Sequence, residues 1–213
     1  MDWIKITVVL CVTIFVLVLL IKRFVYFRPV RFVGKSQYTD VYEGNLHAWL
    51  CGNNAPITLL YCHGNTGNIS HRIPKIEQMV AAGLNVLIFD YSGYGKSSGV
   101  PTEKMCYTNA ETFMAYLLRN NVRNIVPYGE GMGAAVALHI GIRYGLSRVI
   151  LDSPWRSVTH AFPILKPFRI LFNEFDSETL SKSYRGAILY MGETFRNFSE
   201  INGELVHRKS QGT

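Results

Sequence analysis

Five short apolar runs, each closing on a turn rich in glycine or opening with an acidic residue, set the strongest limit on what this chain folds into. Ile57 to Cys62 runs into HGNTGN, Asn85 to Asp90 into YSGYGKSSG, Asn124 to Tyr128 into GEGMG, Arg148 to Leu151 into DSP, and Ala187 to Met191 into GE. Amphipathic stretches near 70–82, 103–119 and 132–144 separate the first four, and Tyr42 to Cys51 reads as a strand of an earlier hairpin. Continuous apolar strands alternating with helices call for a parallel sheet buried on both faces. Ligands of such sheets bind beyond the carboxyl ends of the strands, where each of these turns falls.

A membrane segment precedes this pattern. Ile6 to Ile21, ITVVLCVTIFVLVLLI, holds thirteen Val, Leu, Ile or Phe in sixteen residues and no charge. At about −0.3 to −0.6 kcal/mol per central aliphatic residue, its insertion is worth roughly −4 to −8 kcal/mol. Extended back to Trp3, with Lys5 snorkelling, the helix measures about 28 Å against a hydrocarbon core of about 30 Å. The rival is a cleaved signal peptide, but Lys22-Arg23-Phe24 stands in place of a small-x-small cleavage site. Lys22, Arg23, Arg28, Arg31 and Lys35 then supply five of the formal net charge of +7, leaving +2 for the rest of the chain. The basic balance therefore reports a single-pass topology with the following domain in the cytoplasm, and no basic face remains for nucleic acid. A charged fraction of 17% beside 48% hydrophobic residues excludes disordered, collagenous and coiled-coil chains. Cys11 lies in the span, and Cys51, Cys62 and Cys106 show no metal-type spacing, in keeping with a reducing compartment. Asn68-Ile69-Ser70 and Asn197-Phe198-Ser199 match the glycosylation sequon and pull the other way.

HGNTGN at His63–Asn68, FDYSGYGKSSG at Phe89–Gly99, YGEGMGAAVAL at Tyr128–Leu138 and VILDSP at Val149–Pro154 resemble the α/β-hydrolase superfamily, and in particular its membrane-anchored bud-emergence (Bem) branch. The resemblance covers roughly residues 25–195. It implies an α/β-hydrolase fold, a mostly parallel sheet flanked by helices, with one N-terminal transmembrane helix and a shortened C-terminal end. Its chemistry needs a nucleophilic Ser on a strained G-x-S-x-G turn, two backbone N–H donors for the oxyanion, and an acid and a His following in chain order.

At the nucleophile turn this chain reads Gly129-Glu130-Gly131-Met132-Gly133. Gly131 has no side chain with which to attack a carbonyl, which closes the acyl-enzyme route at that position, while glycine adopts the positive φ of the turn freely. By resemblance the oxyanion donors are the backbone N–H groups of Asn65 and Met132, with His63 and Gly64 shaping the loop. Gly192-Glu193-Thr194-Phe195 places Phe where the family's acid would stand. Asp152 is the substitute acid, with a turn or capping role as the competing reading, and Asp176 is less well placed. His207 in the tail ELVHRKSQGT is the remaining candidate base, against its reading as an exposed tail residue; His71 and His160 read as surface or rim residues. Ser153 and Ser92 are the displaced serines an active ester or thioester hydrolase would require. Gly129-x-Gly131-x-x-Ala134 followed by Asp152 also meets the dinucleotide-binding description locally, and GYGKSS fails as a P-loop because Asp90 occupies the position of its first Gly.

The expected organisation is a transmembrane anchor over 1–24, a basic juxtamembrane linker over 25–37, an α/β-hydrolase-like domain over 38–195 and a polar tail over 196–213. The expected function is a catalytically inactive, membrane-anchored hydrolase-like protein that binds an acyl or lipid-type ligand or a protein partner. No cofactor and no metal are called for.

Overall fold

The structure, a computed structural model, describes residues 2–31, 36–172 and 174–191. Helix α1 (Asp2–Ile21) is followed by a wide helical turn over Lys22–Tyr26. Seven strands then build one sheet: β1 (Thr39–Glu43), β2 (Leu46–Cys51), β3 (Thr58–Cys62), β4 (Asn85–Phe89), β5 (Ile125–Glu130), β6 (Arg148–Asp152) and β7 (Ala187–Met191). Their spatial order is β1-β2-β4-β3-β5-β6-β7. The β1–β2 hairpin turns at Gly44, with φ +60°, and β2 runs antiparallel to β4, while all later neighbours are parallel.

Burial on both faces explains the unbroken apolar runs. Every residue of β3 is buried, because alternate side chains enter two cores. On one face Trp49, Leu59, Tyr61, Ile88 and Tyr128 pack with Ile76 of α2 (Ile73–Ala81). On the other, Leu60, Cys62, Leu87 and Phe89 meet α3 (Glu103–Arg119) and α4 (Gly133–Arg143). Eight of the eleven residues of α4 are buried, and its small Gly and Ala side chains let it lie close to the centre of the sheet. Thr102 starts α3 by accepting the Met105 amide at 3.1 Å, an N-cap that satisfies one otherwise unpaired donor. Between β6 and β7 the chain forms α5 (Val158–Ala161), a tight turn over Pro163–Phe168, and α6 (Ser177–Ser183).

The residues after α1 differ from the linker expected over 25–37. Tyr26 and Phe27 are buried in the main core, and Arg28–Pro29 pairs in parallel with Thr66–Gly67. Two large aromatics gain more from burial than from exposure beside a sheet, so the chain docks on the domain as soon as the helix ends. Helix α1 is itself long and apolar enough to cross a membrane and is not buried by the rest of the fold.

The sheet order also replaces the dinucleotide-binding reading. Gly129-x-Gly131-x-x-Ala134 belongs to the fifth strand of a sheet with an antiparallel edge hairpin, not to the first βαβ unit of a 3-2-1-4-5-6 sheet.

Candidate functional site

Strand β5 turns into α4 through Gly129–Gly133, and the glycines there meet two different demands. A Cβ on Gly129 would stand 2.5 Å from the Cα of Ala134, and one on Gly133 would collide with the Cys62 carbonyl. Both residues allow backbone to approach backbone. Gly131, in contrast, has room for a side chain: a Cβ there would lie in ordinary van der Waals contact, 3.6 Å from Nε1 of Trp155. What distinguishes Gly131 is φ +55°, the left-handed conformation of a sharp strand-to-helix turn. Its amide donates to the Asp152 carbonyl at 2.9 Å, and its carbonyl accepts from the Trp155 amide at 3.1 Å.

The loop after β3 lies against this turn. A Cβ on Gly64 would stand 3.1 Å from Oε1 of Glu130. Asn65 is fixed from three sides: its side-chain amide donates to the Tyr26 carbonyl at 2.8 Å, and its own carbonyl accepts from the Tyr94 hydroxyl at 2.7 Å and from the Arg28 amide at 3.1 Å. Among the described residues, the backbone N–H groups of Asn65 and Met132 have no hydrogen-bond acceptor. Met132 directly precedes α4, where the helix dipole favours negative charge.

His63 is fully buried against Tyr91 and Tyr94, at ring separations of 4.5 and 5.3 Å. Its Nδ1 donates to the Gly64 carbonyl at 2.7 Å, and among the described residues Nε2 has no partner. Burial, aided by the Arg72 charge, pushes its pKa down to about 4, which keeps the ring uncharged at neutral pH.

Asp152 ends β6 in register with Glu130. It accepts from the Tyr128 hydroxyl, from Lys75 at 2.6 Å and from the Ser153 hydroxyl at 3.1 Å. Glu130 in turn accepts from Arg72 at 2.8 Å and from the Tyr61 hydroxyl at 2.5 Å. Burial alone would raise the Glu130 carboxyl, but Arg72, Tyr61 and Lys75 outweigh it and hold the group below the usual glutamate range. Both acids are thus tied into an ionic cluster on the α2 side of the sheet, and among the described residues no histidine is bonded to either.

The other candidates lie elsewhere or hold local structure. Asp176 caps α6 by accepting the Thr179 amide at 2.9 Å. His71 bonds Asn68 within a tight turn, and His160 is exposed in α5. Ser92 is buried, its amide donating to Asn109 at 2.7 Å. Ser153 is exposed, with φ +45°. His207 and Gly192–Phe195 lie outside the described residues. Asn68 is fully buried and donates to the Val30 and Arg31 carbonyls, which removes it as a glycan acceptor in the folded chain; Asn197 lies outside the described residues. Among the described residues no three His, Cys, Asp or Glu converge as a metal site.

Three features were not found from sequence: Trp155 over the turn, the Glu130–Arg72 cluster, and the buried pair His47–Asp90. His47 Nδ1 lies 3.1 Å from Asp90 and Nε2 2.7 Å from Asp40. Both ring nitrogens therefore face carboxylates within the fold.

Sheet order, strand-to-helix turn and apposed loop define the α/β-hydrolase class. A family model described as serine aminopeptidase, S33, matches residues 54–197, and the chain belongs to this α/β-hydrolase family. The bem46 protein of Schizosaccharomyces pombe is 35% identical over 117 residues, which are 52% of this chain and 39% of that protein. An uncharacterized membrane protein of Saccharomyces cerevisiae, YNL320W, is 34% identical over 150 residues, 65% of this chain and 53% of that protein. The chain spans about half the length of such relatives, or less. The Pyrococcus furiosus esterase Pf2001 shares the fold, with a TM-score of 0.60 at 24% identity over 77% of this chain and 75% of that one. These likenesses bear out the α/β-hydrolase fold and its Bem-type resemblance.

Proposed function

We propose that this chain is a membrane-anchored, Bem-type α/β-hydrolase-fold protein that binds an acyl or carboxylate-bearing ligand without turning it over. The observation that carries this reading is Gly131: a residue with no side chain, at φ +55°, at the nucleophile position of the turn. No alkoxide forms there, so no acyl-enzyme forms. The amides of Met132 and Asn65 are backbone groups that survive loss of the serine. Free of acceptors, they suit a carbonyl or carboxylate oxygen, as in an oxyanion hole. Support for the anchor comes from the length and apolar composition of α1, and the basic residues from Lys22 to Arg31 favour a cytoplasmic domain.

The rival reading is a serine hydrolase of acyl esters or thioesters with a displaced nucleophile, Ser153 being the exposed candidate. Its hydroxyl is already given to Asp152, and donors arranged around position 131 would miss it by more than the roughly 1 Å that costs about 100-fold.

Exposure of the full-length chain in membranes to a fluorophosphonate separates the two. No covalent label is expected on the wild-type chain. Labelling that disappears in Ser153→Ala would overturn the non-catalytic reading.

A further inference from the structure

We propose that residues 163–171 form a second membrane contact, seated in the lipid–water interface of the bilayer that α1 crosses, so that the Gly131 site opens at headgroup level. This rests on the reading of α1 as an anchor and adds to it an orientation of the whole domain.

The segment reads PILKPFRIL. Leu165 is buried inside it and Phe172 just beyond it, at 5% and 1% exposure, which pins the segment to the core. Between and around these pins Ile164, Phe168, Ile170 and Leu171 stand exposed, Ile170 at 92% and Ile164 at 81%. Four large apolar side chains this close on one exposed segment are a contact surface rather than scattered surface residues. Lys166 and Arg169 are exposed among them. An apolar set interleaved with long cations fits an anionic interface, since the stems lie along apolar surface while the charges reach the headgroups.

Position identifies the occupant as lipid. The segment leads into Glu174, which forms an ion pair with Lys22 and accepts from the Tyr26 hydroxyl at 2.6 Å. Lys22 also lies 5.9 Å from the Phe172 ring. Lys22 and Tyr26 belong to the single turn that follows α1, so the exposed segment emerges beside the point where the chain leaves the bilayer. Phe24, 68% exposed on that same turn, continues the apolar surface toward α1. The segment is also connected to the site. Trp155, over Gly131, contacts Phe162 at 5.3 Å, and Phe162 contacts Tyr26 at 6.5 Å. An acyl chain leaving the bilayer beside Ile164 would meet this aromatic wall on its way to the free amides of Met132 and Asn65.

The test uses the full-length chain in vesicles of phosphatidylcholine and phosphatidylserine. A nitroxide is placed at the native Cys11 or, in a Cys11→Ser background, at Ile170→Cys, Ile164→Cys or the control Ile142→Cys on α4. Cys51, Cys62 and Cys106 are buried. Accessibility to oxygen and to a water-soluble nickel chelate is then compared. The expected result is an oxygen-to-nickel ratio at 170 and 164 severalfold above that at 142, falling when Lys166→Glu and Arg169→Glu are combined. Equal ratios at 170, 164 and 142, with Cys11 at bilayer depth, would overturn this proposal alone. A label at Cys11 open to the nickel chelate would overturn the anchor reading and the proposal together. Labels at 170 and 164 shielded from both probes would show a protein occupant, such as a second copy, and would overturn the assignment to lipid.

Discussion

Nε1 of Trp155 stands 3.6 Å from the point that a Cβ on Gly131 would occupy, an ordinary van der Waals separation. Room for a side chain thus exists at Gly131, and what resists one is the backbone at φ +55°. A non-glycine residue in that conformation costs of order 1 kcal/mol. Gly131→Ser is therefore expected to fold, with a melting temperature lowered by about 2–4 °C for a domain of this size, measured by thermal unfolding of the full chain in detergent. Loss of the folded state would show that the turn has no place for the family's serine.

The flanking glycines give the opposite result. The obstacle to a Cβ on Gly129 or Gly133 is backbone, of α4 or of Cys62 and His63 at the end of β3, not the mobile end of a side chain. Overpacking against fixed backbone costs about 1–3 kcal/mol, and more where nothing can shift. Gly129→Ala and Gly133→Ala are each expected to lose at least about 3 kcal/mol in the same unfolding assay. A cost no larger than that of Gly131→Ser would refute the close-approach account.

The strands were legible because they bury contiguous apolar residues, and α3 because it buries a stripe at helical spacing, Cys106, Ala110, Phe113, Met114 and Leu117. Helix α3 spans Glu103–Arg119, matching the stretch read from sequence, and Thr102 marks its start. The turn at Gly131 was legible because its residue types carry the geometry. The docking of Tyr26 and Phe27 was not, since two aromatics beside a hydrophobic run and basic residues look the same as an interfacial belt. Trp155 and the His47–Asp90 pair escaped for another reason: their partners lie 24 and 43 residues away in the chain, and no local pattern announces a contact of that separation. Asp152 was read as a candidate acid from its place at a strand end, but the lysine and tyrosine that claim it come from α2 and β5.

Glu130 and Arg72 form a largely buried ion pair, with side-chain exposures of 23% and 11%. Removing the charge in Glu130→Gln leaves the guanidinium without its counter-charge, at a cost of about 2 kcal/mol once partial exposure is allowed for. Because the folded carboxyl is depressed, the stabilisation is complete above the ordinary glutamate pKa of about 4.3 and is lost as the pH falls below it through the folded value. Urea unfolding of wild type and Glu130→Gln should therefore differ at neutral pH and converge in acid. A difference that persists unchanged in acid would contradict the ionic origin.

His63 acts in a separate and higher pH window. Its folded pKa is pushed down to about 4 by burial, against about 6.5 in the unfolded chain. Between these values the unfolded state binds the extra proton, so stability is complete above about pH 6.5 and falls as the pH drops toward 4. The total loss is of order 3 kcal/mol, at roughly 1.4 kcal/mol per pH unit. His63→Gln removes the ring that packs on Tyr91 and Tyr94 and is expected to be less stable at neutral pH. The same variant should show a much flatter dependence between pH 6.5 and 4 when unfolding free energy is followed by urea titration. Retention of the wild-type slope would assign it to another group and would mean that His63 accepts a proton in the folded chain.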